Sequence, residues 1–134
     1  RADNLHHAAT LRRTAASTAA QFGAALYTYD YNDLAAARAR VVALATAAYA
    51  KGYDASSPPQ QQTITRLKAK ESAKVTGVFL TDVVRNRVAG VVILGTALQS
   101  TAGARTSTTY LDVALVRQGS SWKVDTARPV PVAS

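Results

Sequence analysis

The hydrophobic period of this chain changes once, from three or four residues to two, at about residue 73. A chain patterned this way puts its helices first and its strands after, which implies an α+β domain: three N-terminal helices packed on one face of a curved, four-stranded antiparallel sheet. Its 134 residues suit a single domain with one core, helices over about 3–72 and sheet over about 74–128.

In the first helix, from Asp3 or Asn4 to about Tyr27, the stripe is Ala8, Leu11, Ala15, Thr18, Phe22 and Ala25. Small residues dominate it, so the helix can lie close against its support. At 1.5 Å per residue it would span ~37 Å, long enough for a stalk. A second helix is expected from Asp33, a natural cap, to about Lys51, with Leu34, Ala37, Val41, Leu44 and Ala48 on one face and Gly52 as its stop. Ser56-Ser57-Pro58-Pro59 predicts a third, short helix, with Ile64 and Leu67 inward and an end near Ser72.

Four strands follow, from Lys74 to Val84, Arg87 to Thr101, Arg105 to Gln118 and Ser121 to about Arg128, joined by short turns as a meander. Val91-Val92-Ile93-Leu94 is apolar on both faces and predicts a central strand. Leu111, Val113 and Leu115 are expected to point inward, with Asp112 and Arg117 outward. Pro129 and Pro131 end the pattern.

Composition narrows the chemistry. There is no cysteine, hence no disulfide, thiolate nucleophile or cysteine metal site. His6 and His7 are adjacent on a helix and point to different faces, so they read as exposed stalk residues, not as a metal pair. The net charge of +8 is spread in small groups along the chain, without a recognition motif, so nucleic acid is not an expected partner. The longest apolar run, Val88 to Leu98, falls well short of the ~20 residues needed to span a bilayer. The chain starts at Arg1 and has no Met, which leads to the expectation that an upstream segment has been removed.

The joint between the first two helices is unusual: Leu26-Tyr27-Thr28-Tyr29-Asp30-Tyr31-Asn32-Asp33-Leu34 holds half of the six tyrosines. Tyr27 and Tyr31 are expected to wedge the helices together, leaving Tyr29 turned the other way. Thr28-Tyr29-Asp30-Tyr31 with Asp33-Leu34, the strand Gly90-Val91-Val92-Ile93-Leu94, and Val113-Ala114-Leu115-Val116-Arg117 followed by Trp122-Lys123-Val124 together resemble the actinobacterial Mce-associated membrane proteins. The likeness covers nearly the full chain. It departs from the family at Gly119-Ser120-Ser121-Trp122 and at Thr46-Ala47-Ala48-Tyr49.

The resemblance implies a single-pass cell-membrane protein whose anchor precedes this segment. Its cystatin-like, or nuclear-transport-factor-2-like, domain would lie on the extracytoplasmic side. The implied role is a non-enzymatic accessory or scaffold subunit of an Mce-type lipid import system. Its partners would be Mce complex proteins or permease subunits, with a homo-oligomer as a further option and no cofactor or metal. The alternative is a scaffold subunit of a type IV secretion or conjugation machine, which carries a similar domain after one membrane helix. A third reading is a small-molecule-binding protein or an isomerase- or cyclase-like enzyme, since this fold can hold a pocket.

Tyr29, Arg12 and Arg13 are the candidate partner contacts, the arginine pair also being able to meet anionic headgroups at ~1 kcal/mol each. Asp82 shares the parity of Val78, Leu80 and Val84 and is the pocket candidate if the protein is an enzyme, although pairing with Arg85 or Arg87 is its simpler use. No catalytic residue is otherwise expected. Trp122 is expected in the core.

Overall fold

In the computed structural model, residues 2–130 are described, with side chains from residue 8 onward. The side chains of His6 and His7, and the whole of Pro131, lie outside the described residues. Three helices, α1 (Ala2–Leu26), α2 (Leu34–Ala43) and α3 (Ala47–Leu67), pack against a sheet of five strands. The strands are β1 (Tyr29–Asp30), β2 (Lys70–Val84), β3 (Arg87–Ser100), β4 (Gly103–Gln118) and β5 (Ser121–Pro129), in the order β1-β2-β3-β4-β5, with every neighbour antiparallel. The expected meander is present with β3 at its centre. The additional strand is β1, where Tyr29 and Asp30 pair with Glu71 and Lys70. Two residues are too few to carry an alternation.

The core lies between α1 and the inner sheet face. Ala15, Ala19, Phe22 and Ala25 of α1 meet Val88, Val92, Leu94, Leu111, Val113, Leu115, Trp122 and Val124, and Val41 of α2 joins them. Small residues let α1 approach closely: a Cβ at Gly23 would stand 2.9 Å from Val92 Cγ1. Trp122 is buried, as expected, and its indole Nε1 donates to Thr14 Oγ1 at 3.1 Å.

The helix boundaries differ from expectation, and the cause is non-local. The second helix stops at Ala43 instead of running to Lys51, because residues 44–46 leave it to bond the edge of β5. Val124 N donates to the Leu44 carbonyl at 2.8 Å, and Thr46 N to the Val124 carbonyl at 2.9 Å. Thr46 then caps α3, its Oγ1 accepting from Tyr49 N at 3.1 Å while donating to Asp125 Oδ1 at 2.9 Å.

Helix α3 runs straight through Gly52, Pro58 and Pro59. The two ladder bonds lost at the prolines fall at Asp54 and Ala55, on the exposed side of the helix. Ser57, inside the helix and not at its start, donates its hydroxyl back to the Tyr53 carbonyl. The helix ends at Leu67, short of Ser72, because Lys68 adopts a left-handed conformation (φ 52°) and Ala69 N closes back on the Ile64 carbonyl at 2.9 Å. Two contacts fasten α2 in place. Asp33 caps it as expected, accepting from Ala36 N at 3.1 Å, and Arg38 grips Asp54 of α3 through Nε–Oδ1 at 2.7 Å and Nη2–Oδ2 at 2.8 Å.

Candidate functional site

The helices cover the sheet incompletely, and the gap is a cavity of about 990 Å³ between the end of α1, α2, α3 and β5. Four tyrosines line it: Tyr27 at the end of α1, Tyr29 on β1, and Tyr49 and Tyr53 one turn apart on α3. Phe22 meets Tyr49 edge-on, with ring centres 5.3 Å apart at 80°, and Tyr49 stacks on Tyr53 at 6.2 Å and 30°. Glu71, half-buried and opposite Tyr29 across the β1–β2 ladder, and Asp125, at an irregularity of β5, supply the carboxylates.

Burial dominates the electrostatics here. It pushes the Tyr29 phenol up to about 12, helped by the adjacent Glu71 charge and by a hydrogen bond to that carboxylate. The Tyr49 phenol is also pushed up to about 12, by burial first and then by Tyr53 and Tyr27. Burial raises Glu71 above the usual carboxylate value, against the hydrogen bond from Tyr29, which lowers it. Tyr27 is raised by burial and by Glu71. It therefore sits within electrostatic reach of both Glu71 and Tyr49, which makes these groups one continuous cluster.

A pH dependence follows from the two high phenols. Because their folded values exceed the ordinary 10.0, the stability they contribute is complete below pH 10 and is lost as the pH rises through about 12. Spectrophotometric titration at alkaline pH is expected to show four of the six tyrosines ionising late, Tyr29 and Tyr49 last, with melting temperature falling over the same window. A titration in which all phenols ionise together near 10 in the folded protein would contradict this burial.

The residues singled out from sequence are scattered. Tyr29 reaches the cavity, but so does Tyr27, which was expected only as a wedge. Tyr31 lies outside the lining, with Lys70 Nζ 6.0 Å from its ring centre. Arg12 and Arg13 are exposed near the other end of α1, where Arg13 Nη2 donates to Thr10 Oγ1 at 3.4 Å.

Asp82 does not line this cavity. A register irregularity between Leu80 and Asp82 shifts the alternation by one, so Val83 turns toward the core while Asp82 and Val84 are exposed. Its expected arginine pairing is not formed either: among the described residues the ion pairs are Arg38–Asp54 and Lys70–Asp30. Arg117 also departs from its expected outward face. It is half-buried opposite Trp122 and donates from Nε to the Gly119 carbonyl at 3.3 Å.

Tyr49, Tyr53 and Glu71 were missed by the sequence reading. The spacing of Tyr49 and Tyr53 at i and i+4 was a usable signal, since such residues share a helix face. Glu71 fell in a segment expected to be the end of a helix. Among the described residues no cluster of three or more His, Cys, Asp or Glu could hold a metal ion, and no helix is long and apolar enough to cross a membrane.

A curled antiparallel sheet with three helices on one face and a cavity between them defines the nuclear-transport-factor-2-like class of α+β folds. Comparison with solved structures agrees. An IcmL-like type IV secretion system protein from Legionella pneumophila superposes with a TM-score of 0.73 at 12% identity, covering 89% of this chain and 91% of that one. The periplasmic domain of DotI gives 0.71 at 14% identity, covering 87% and 93%. An Ntf2-like protein involved in plasmid conjugation gives 0.57 at 16% identity, covering 92% of this chain and 50% of that one. At these identities the likeness is one of fold. No protein-family model and no curated protein matches this sequence.

Proposed function

We propose that this chain is a non-enzymatic scaffold domain, held on the extracytoplasmic side of a cell membrane, in a multiprotein envelope machine of the type IV secretion or conjugation kind. The observation that carries this reading is the shared fold, matched over nearly the full length of both this chain and the IcmL-like and DotI domains. The work is protein–protein contact, through α1 and the surfaces that flank it.

The cavity supports binding over turnover. Its phenols stay protonated at neutral pH, and neither lining carboxylate stands free: Asp125 accepts from Thr46 Oγ1 at 2.9 Å, and Glu71 lies beside the Tyr29 phenol. A second reading, an accessory subunit of an Mce-type lipid importer, is favoured by one specific observation: the residues of the Tyr-Asp-Tyr joint and of the β4–β5 segment resemble that family.

The test is mild crosslinking of the membrane-anchored protein in its native envelope, followed by identification of the chains that co-purify. Secretion or conjugation subunits are expected. Mce or permease subunits would overturn the first reading in favour of the second, and recovery of the protein alone would sink both.

A further inference from the structure

The charge balance of the cavity runs against that of the chain. Overall there are 16 lysines and arginines to 8 acids, yet the lining holds two carboxylates, Glu71 and Asp125, and one basic residue, Arg128. Neither carboxylate is neutralised within the fold, since among the described residues the ion pairs are those of Asp54 and Asp30, both outside the lining. Among the described residues Asp125 accepts from the Thr46 hydroxyl at 2.9 Å, and Glu71 lies beside the Tyr29 phenol. In so basic a protein, a lining with two carboxylates, neither of them ion-paired, and a single arginine is acid-rich relative to the rest of the chain.

The same wall carries the rings of Tyr27, Tyr29, Tyr49 and Tyr53. Aromatic faces and a carboxylate attract the same ligand, an organic cation: the ring quadrupole holds its charge, and the carboxylate accepts its N–H groups. A guanidinium satisfies both at once, being planar enough to stack on a phenol ring while its edge meets the carboxylate. The fold already shows a weaker version of this pairing at the Lys70–Tyr31 contact.

We infer that the tyrosine-lined cavity is a binding site for an organic cation of the guanidinium or alkylammonium class, with Glu71 as counter-ion and the lining tyrosines, Tyr27 beside Glu71 among them, as its aromatic wall. The site holds whichever envelope complex the domain serves. Its cation has two possible sources, an arginine or lysine side chain carried by a partner segment or a free small amine. Only the partner-borne source rests on the scaffold reading proposed above.

The test is a titration of the ¹⁵N-labelled protein, followed by amide shifts. The probes are N-acetyl-arginine amide, N-acetyl-lysine amide and n-propylammonium chloride, with N-acetyl-citrulline amide as the uncharged isostere of the first. Saturable shifts confined to residues around the cavity are expected for the cations, and none for citrulline. Glu71→Gln keeps an acceptor for Tyr29 and is expected to weaken binding about fivefold or more, as removal of a partly buried counter-ion should.

Tyr27→Phe keeps the ring and is expected to hold affinity within about twofold, whereas Tyr27→Leu loses the ring face and is expected to weaken it about threefold to tenfold. The amide spectrum itself reports whether each variant is folded. Citrulline binding as well as arginine, or Glu71→Gln binding unchanged, would overturn the proposal. A Gly-Arg-Gly peptide binding more tightly than the arginine amide identifies a partner-borne cation, and tighter binding of n-propylammonium identifies a free amine. Failure of the crosslinking experiment leaves these titrations untouched, so the two readings fail separately.

Discussion

Trp122→Ala is expected to lower the unfolding free energy by about 3–5 kcal/mol, a large share of the ~5–15 kcal/mol that holds a domain of this size together. Trp122 is 5% exposed and belongs to the core that α1 shares with β3, β4 and β5. Its loss leaves a hole that the surroundings are poorly equipped to fill. The facing stretch of α1 presents Ala15 and Ala19, whose methyl groups cannot swing into a void, so the cost is expected toward the upper end. Trp122→Phe retains most of the volume and forfeits the bond to Thr14, for a further test at about 1 kcal/mol. Trp122 is the only tryptophan, so both variants are best followed by far-UV circular dichroism in urea. A change below about 1 kcal/mol in the alanine variant would mean that the side chain is not packed as described.

Phe22→Ala is expected to be comparably severe, about 3–5 kcal/mol. Phe22 is fully buried and is the one large residue among the buried positions of α1, where Ala15, Ala19, Gly23 and Ala25 supply little area. It also reaches beyond the core, since its ring meets the edge of Tyr49 and so joins α1 to the wall of the cavity. The truncation therefore carries a second signature. Tyr49 owes its raised pKa chiefly to burial, so opening the space beside it should bring its ionisation down from about 12 toward the ordinary 10.0. Denaturation and alkaline titration of the same variant test both consequences. Loss of stability with no change in the phenol titration would show that the Phe22–Tyr49 contact does not shield the site.

The architecture was legible because its signals are local. A stripe of small residues on α1, alternation along β3 and β4, and Asp33 at the head of α2 each act within one or two turns of chain, and each appears where expected. The errors share an opposite cause. Nothing near residues 44–46 announces a break, since what ends α2 is a pair of hydrogen bonds to Val124, some eighty residues away. Gly52 looked like a stop and the two prolines like the first turn of a new helix, yet α3 continues through all three, the bonds lost at the prolines facing outward. At Asp82, a single extra residue in β2 reversed the face on which every later side chain was expected.

The cavity belongs wholly to this second kind of information. Tyr27 and Tyr29 come from the joint, Tyr49 and Tyr53 from α3, Glu71 from β2 and Asp125 from β5, and beyond the i, i+4 pair on α3 no spacing in the chain brings them together. By itself the sequence determined a helical layer over an antiparallel meander, because hydrophobic period and capping are properties of neighbouring residues. Only the tertiary structure decided where the second helix breaks, which face Asp82 takes and which phenols and carboxylates share a cavity. Those outcomes depend on hydrogen bonds and burial between segments far apart in the chain, which no local pattern encodes.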